Sequence, residues 1–179
     1  MIFLFDEKAG SERLSIKGDN YKYLIKVRRH TVGDTLAFRN PSKREMLYKY
    51  KLISIEPRAA LFELKESKEE PLNPPKELHI GWCVIDNKSI EKVLASLNEV
   101  GVSRISFIYC ERSQKNFKPD FKRFERIVEA SNQQCGRTHL MEFCSYKSLE
   151  AFLAENEDVK VFDFCDKPLE CESDFTTVL

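Results

Sequence analysis

The sequence predicts an α/β protein in two parts: a small β-rich unit with one helix over residues 1–70, and a β/α layer with a mostly parallel sheet over residues 71–179. Three observations predict this. Short strand-like runs joined by turns fill the first 67 residues. The segment "KESKEEPLNPPKE" then brings charge and three prolines, which remove backbone donors and favour extended chain, so a packed core stops there. Beyond it, apolar strands alternate with amphipathic helices, the rhythm of a layered α/β domain.

In the first part, "IFLFD" reads as a short strand. "DNYKYLIKVRR" places Tyr23, Leu24 and Val27 at helical spacing, with Asp19 as a cap. "TLAFRN", "EMLYKYKLISIE" and "AALFELKE" read as strands, with turns at Asn40-Pro41 and Pro57. In the second part, "ELHIGWCVI" is a continuous apolar run, as expected of a strand buried on both faces. "NKSIEKVLASLNEVG" follows as a helix burying Ile90, Val93, Leu94 and Leu97, capped at Asn87 or Ser89 and stopped by Gly101. "RISFIYC" is the next strand. "FKPDFKRFERIVEASNQQCG" is the next helix, with Phe121, Phe124, Ile127 and Val128 inward. "LMEFC", "SYKSLEAFLAEN" and "VKVFDFC" repeat the alternation, and "TTVL" opens one more strand.

The end of the third of these helices, "EASNQQCGR", crowds amides, a thiol and an arginine into one turn. Helical steps from the inward stripe land on Ser131, Gln134 and Cys135, which turns Gln134 toward the sheet, where a buried amide needs partners. Gly136 suits the left-handed conformation that ends a helix, and Arg137 is then aimed back over the strand ends. The plainer alternative is an ordinary polar terminus whose arginine solvates the last carbonyls.

Composition excludes several classes. No apolar run approaches the roughly 18 residues of a membrane span, and "MIFLFDEKAG" lacks the basic flank and apolar stretch of a signal peptide. None of the six cysteines forms a CxxC pair, and Cys83, Cys110, Cys144 and Cys165 lie in strand-like runs where a thiol packs as a small hydrophobe. They read as reduced, metal-free and cytosolic. Dinucleotide-fold, P-loop, zincin and serine-hydrolase motifs are missing from the sequence. The net charge of zero hides an asymmetry: residues 19–51 hold nine Lys/Arg against three Asp/Glu, and residues 144–179 hold three against nine. The basic stretch is either a solvated face or a tyrosine-rich surface for phosphates and bases. In "YCERSQKN", Arg112, Ser113 and Lys115 stand just past a strand's carboxyl end, where an α/β sheet forms its ligand crevice.

Four motifs in register resemble one family, the bacterial small-subunit ribosomal RNA (uridine-N3-) methyltransferases of the SPOUT superfamily. They are "LIKVRRHTVGD" (Val27, Arg29, Gly33 and Asp34 match best), "EVGV" at Glu99–Val102, "ERS" at Glu111–Ser113 and "QCGR" at Gln134–Arg137. The resemblance implies a small PUA-like β-barrel domain over 1–70 and a SPOUT-type methyltransferase domain over 71–179. Two departures stand out. A Lys-Gly-Asp type segment of the family is here "IDNKS", and the family continues past "TTVL" into a Gly-Pro-Glu-Gly-Gly type loop and a helix threaded as a trefoil knot. The expectation is therefore a piece of the enzyme that ends where the knot begins and is inactive by itself.

The activity implied is methyl transfer from S-adenosylmethionine to N3 of a uridine in small-subunit ribosomal RNA, in an assembled subunit, by a cytoplasmic homodimer that needs no metal. Arg112 and Arg137 are the expected catalytic cations, with Gln134 and Ser113 supporting their loops. Lys26, Arg28, Arg29 and Lys115 are the expected RNA contacts. Phe164, Cys165 and Asp166 would form one wall of a cofactor pocket otherwise supplied by the knot. The rival expectations are a non-catalytic RNA-binding module and an unrelated two-domain α/β protein with a solvated basic face.

Overall fold

The computed structural model describes residues 2–113, 116–157 and 159–161, and the backbone of Thr177 and Val178. The chain divides into two units, one formed by Met1–Leu72 with Gln133–Thr138, the other by Asn73–Asn132 with His139–Leu179.

The first unit is built on a mixed five-stranded sheet in the order β1-β3-β4-β5-β2. Its strands are β1 (Leu4–Phe5), β2 (Arg13–Lys17), β3 (Thr35–Asn40), β4 (Lys43–Ile55) and β5 (Ala59–Glu69). β1 runs parallel to β3, and the other pairs are antiparallel. Apolar residues alternate along the strands, so Leu14, Ile16, Phe38, Tyr50, Leu52 and Phe62 share one core with Leu24 of the helix. Phe38 meets Tyr50 and Phe62 edge-on at 5.5 and 5.3 Å.

The strand β2 was not expected from the sequence, although "RLSIK" alternates exposed and buried residues in the period-2 pattern of a sheet edge. The helix differs too. It opens as α1 (Gly18–Tyr21) and continues as a π-helical turn over Lys22–Val27, with Arg28 N–H donating to Tyr23 C=O at 2.8 Å. The wider winding breaks the 3.6-residue spacing. Tyr21 and Leu24 are buried, whereas Val27 is 66% exposed, contrary to the helical reading.

The second unit holds a parallel four-stranded sheet in the order β8-β7-β6-β9, with β6 (Leu78–Cys83), β7 (Val102–Ile108), β8 (Glu142–Tyr146) and β9 (Thr177–Val178). Among the described residues its helices are α2 (Asn87–Glu99), α3 (Phe121–Cys135) and α4 (Leu149–Glu155). Ile105 and Phe107 of β7 pack with Ile90 and Leu94 of α2 and with Phe124 and Val128 of α3. On the other face, Phe152 of α4 meets His79 and Tyr146 edge-on at 5.7 and 5.3 Å. The chain runs outward from β6 to β8 and returns to β9 on the far side of β6, so the strand order reverses at β6. The carboxyl ends beside such a reversal form the crevice of an open α/β sheet.

The cap of α2 is Asp86, not Asn87 or Ser89: its carboxylate accepts the Ser89 N–H at 3.0 Å. Gly101 adopts φ +100°, and an added Cβ would lie 3.2 Å from Pro74, so the stop after α2 requires glycine. The "TTVL" strand is present as β9. Most of the expected "VKVFDFC" strand, including Phe164 and Cys165, lies outside the described residues, as does Asp166 just after it.

Candidate functional site

Two places gather chemistry, one in each unit. In the first unit the π-helical turn ends in Arg28 and Arg29, which with Lys26 are exposed. Arg28 lies over the Tyr23 ring at 5.3 Å, and its Nε donates to the Tyr23 hydroxyl at 2.9 Å. Arg29 takes φ +60°, a left-handed conformation uncommon for a side chain of this size. Below it the loop is tied down. Asp34 accepts from Thr31 N–H and pairs with His30 Nδ1, both at 3.1 Å, and Leu52 N–H donates to Asp34 C=O at 2.8 Å. The Thr31 N–H, and after it His30, hold the Asp34 carboxyl below its ordinary range. Three cations therefore stand at the end of the π-helical turn and on the loop after it, whose base is anchored to β4.

Of the two readings of the basic stretch, the tyrosine-rich surface does not form in the rest of it. Tyr21, Tyr48 and Tyr50 are buried, and the Tyr50 hydroxyl donates to Ser11 C=O at 2.6 Å. Arg39 is 0% exposed, donating to the carbonyls of Arg44 and Glu70 at 2.7 and 2.9 Å with its guanidinium over Phe3. These side chains bury their bulk and satisfy their polar ends inside the sheet, a use that formal charge counting cannot detect.

In the second unit, the residues after β6, β7 and β8 line a cleft of about 970 Å³. Val84, Ile85 and Leu149 give it apolar wall; Arg112, Lys147, Glu111 and Glu150 give it charge. The turn that presents Arg112 is closed twice, because Ser113 Oγ accepts from Cys110 N–H at 2.9 Å and Ser113 N–H donates to Cys110 C=O at 3.0 Å. Ser148 caps α4, accepting from Ala151 N–H at 3.2 Å, and its hydroxyl holds the Glu150 carboxyl below its ordinary value. Lys115 lies outside the described residues. Cys83 is exposed at the rim of this cleft, not packed as a small hydrophobe.

The end of α3 answers differently from the helical projection. Gln134 and Cys135 are exposed, while Ser131 and Asn132 are buried. Asn98 of α2 donates to Ser131 Oγ at 2.9 Å and to Asn132 Oδ1 at 2.7 Å, and Asn132 donates to His139 C=O at 3.0 Å. The neighbouring amide, Gln133, belongs to the first unit: it accepts Phe5 N–H on its side chain at 3.1 Å and Ile2 N–H on its backbone at 2.9 Å. Beyond residue 132 the chain leaves the second unit's core, so the inward stripe no longer decides burial. Gly136 has φ +94°, as its place in the turn suggested, and an added Cβ would lie 3.0 Å from Ile2. Arg137 is 6% exposed within the first unit's segment, and desolvation pulls its guanidinium below the ordinary value, with Cys135 opposing. Arg112 thus lines the second unit's cleft, and Arg137 is buried in the first.

Asn98 and Asn132 were not singled out from sequence. Their signal was present, since Asn98 falls four residues after Leu94 and Asn132 four after Val128, each a polar residue on an apolar stripe.

Comparison with known proteins places these features. A Helicobacter pylori protein named Ribosomal RNA small subunit methyltransferase E is 34% identical over 178 residues, 98% of this chain and 78% of its own length. A protein of the same name from Buchnera aphidicola is 23% identical over 141 residues, covering 76% of this chain and 55% of the relative. The crystal structure of a Ribosomal RNA small subunit methyltransferase E from Neisseria gonorrhoeae, bound to S-adenosyl methionine, shares the fold with a TM-score of 0.69 at 14% identity. That match covers 99% of this chain and 78% of the other. Residues 72–177 match the family described as RNA methyltransferase domain. With that match across the second unit and a relative 34% identical over 98% of this chain, the chain belongs to the RNA methyltransferase family.

Proposed function

We propose that the intact protein methylates small-subunit ribosomal RNA at N3 of a uridine, with S-adenosylmethionine as the methyl donor. The observation that carries the reading is the 34% identity over 98% of the chain to a relative named for small-subunit ribosomal RNA methylation. The choice of uridine N3 rests on the "ERS" and "QCGR" motifs and their resemblance to enzymes of that specificity. The first unit serves as a PUA-like RNA-binding domain and the second as a SPOUT-type catalytic domain. Its partners are the RNA of an assembled small subunit, in the cytoplasm, and a second copy of the chain.

The cleft fits a nucleoside-bearing cofactor or base in size and character. Val84, Ile85 and Leu149 offer apolar contact, and the ionised Glu150 suits ribose hydroxyls or a nearby cationic centre. S-adenosylmethionine would supply a methyl already activated on a sulfonium sulfur. The chain's own task is to hold the uracil edge and favour the charge that develops as the N3 proton departs. Arg112, exposed on a closed turn, brings a permanent cation to that charge, and Ser113 keeps the turn in shape. Arg137, being buried, acts as a positioning residue for its segment, with Gln134 beside it. Lys26, Arg28 and Arg29 grip phosphates, and Lys115 extends that contact from the catalytic domain.

The test is methyl transfer from radiolabelled S-adenosylmethionine to small ribosomal subunits lacking the modification, followed by reverse transcription. Methylation at N3 blocks the Watson–Crick edge, so a stop at one uridine is expected. RNA binding with no transfer by the intact protein would favour a non-catalytic binding module instead.

A further inference from the structure

At the carboxyl ends of β6 and β7, two thiols meet. The Sγ atoms of Cys83 and Cys110 are 2.6 Å apart. The backbone on both sides holds this approach. Cys83 pairs in register with Ile108, and Val84 N–H donates to Ile108 C=O at 2.8 Å, so the two strand ends stay paired. Cys110 N–H donates to the same carbonyl at 3.2 Å, which curls the chain after Ile108 and turns Cys110 back toward β6. Ser113 then fixes Cys110 from the other side. Cys83 is exposed, Cys110 is half-buried, and both line the cleft that Arg112 enters.

We propose that Cys83 and Cys110 are a peroxide-sensitive thiol pair that forms a reversible disulfide across the parallel strands β6 and β7. The oxidant is hydrogen peroxide or an alkyl hydroperoxide, which reaches the exposed sulfur of Cys83 first. The Cys83 thiolate attacks a peroxide oxygen: an S–O bond forms, the O–O bond breaks, and the leaving oxygen takes a proton and departs as water, or as an alcohol from an alkyl hydroperoxide. Cys83 is then a sulfenic acid. Cys110 gives up its proton and attacks the Cys83 sulfur; the S–S bond forms, the S–O bond breaks, and the hydroxyl leaves with that proton as water. Two thiols lose two electrons in all, and with hydrogen peroxide one oxidant becomes two waters.

Burial, and after it the adjacent Cys83 thiol, push the Cys110 thiol up to about 11, so it stays protonated at neutral pH and acts second. In a reducing compartment such a bond is transient, and a dithiol restores the pair. The bond ties the Cys110–Ser113 turn to β6. On the reading that Arg112 works in this cleft, oxidation alters methyl transfer reversibly.

The experiment treats the purified protein with hydrogen peroxide, blocks remaining thiols with N-ethylmaleimide, and maps peptides by mass spectrometry without reduction. The expected result is a linked peptide pair containing Cys83 and Cys110, lighter by two hydrogens than the separate peptides and lost after dithiothreitol. Cys110→Ser should instead leave Cys83 as a trappable sulfenic acid or its sulfinic product. Alkylation of both cysteines after peroxide, or pairing of Cys83 with any other cysteine, would overturn the proposal. Because the link is read by mass, its absence is distinguishable from failure of the methyltransferase reading, which is judged by methyl transfer from the reduced protein.

Discussion

The side-chain amide of Gln133 accepts the backbone N–H of Phe5 at 3.1 Å, joining the end of a helix to a strand that lies 128 residues earlier. The backbone carbonyl of the same residue receives Ile2 N–H at 2.9 Å. Gln133 therefore ties the first strand's chain to the Gln133–Thr138 segment inside one unit.

Replacing Gln133 with alanine removes the acceptor of a buried strand's N–H. The expected cost is about 1–2 kcal/mol, the penalty for a backbone donor left without its partner. Gln134→Ala, on an exposed neighbour, should stay within about 0.5 kcal/mol. Urea denaturation of the two variants checks the contrast, and equal midpoints would mean that the Phe5 contact contributes nothing.

The loop carrying Arg28 and Arg29 predicts a salt signature. Each alanine substitution should weaken binding to small-subunit RNA and lower the slope of log affinity against log salt by roughly one, as one phosphate contact is lost. Filter binding at several salt concentrations measures it. Arg28 is held by Tyr23, so Tyr23→Phe, which removes only the hydroxyl partner, should have a smaller effect than Arg28→Ala.

The two arginines carried over from the family motifs should separate by experiment. Arg112→Ala is expected to slow methyl transfer roughly tenfold to a thousandfold with stability unchanged within about 0.5 kcal/mol, because the residue is exposed on a closed turn. Arg137→Ala should lower stability by about 1–3 kcal/mol, because truncating a buried side chain of this size leaves a void where its stem and guanidinium packed. Single-turnover rates beside thermal melts read both, and a fully stable Arg137→Ala protein would refute the positioning role.

His79 predicts a pH dependence. Its Nε2 lies 2.7 Å from Ser106 Oγ, which itself contacts Cys144 Sγ at 2.9 Å. Burial, and after it the charge of Arg104, lower its pKa from 6.5, with Glu142 opposing. Between that lowered value and 6.5 the unfolded chain binds more protons than the folded one, so stability rises with pH across this window. The contribution is complete above 6.5 and is lost as pH falls toward the folded value. His79→Gln should flatten that slope, which for a single group is at most about 1.4 kcal/mol per pH unit. Denaturant midpoints from pH 7 downward are the measurement, and an unchanged slope would assign the titration elsewhere.

Local signals were enough for much of the fold. The period-2 runs of β3, β4 and β5, the apolar run of β7, and most of the helical stripes of α2 and α3 report which side chains face a core, because backbone geometry alone sets those periods. Val93, read as inward on α2, is exposed, and β6, read as buried on both faces, is mostly half-buried. The stops at Gly101 and Gly136 were legible for the same reason, since positive φ is a property of one residue. Arg112 and Ser113 could be put in the crevice because residues after a parallel strand face it in any sheet of this class.

What the tertiary structure decided is which polar groups are spent on packing. Arg39 counts as surface charge in a basic stretch, yet it is sealed under Phe3 with its donors on two carbonyls. Gln133 and Gln134 are chemically the same side chain, and only the position of Phe5 separates the anchor from the exposed neighbour. Cys83 and Cys110 are separated by 26 residues of intervening chain, and the parallel pairing of β6 with β7 brings their sulfurs together. A sequence sets propensities residue by residue, whereas burial of a charge or the meeting of two thiols depends on distances between segments that come together only when the chain folds.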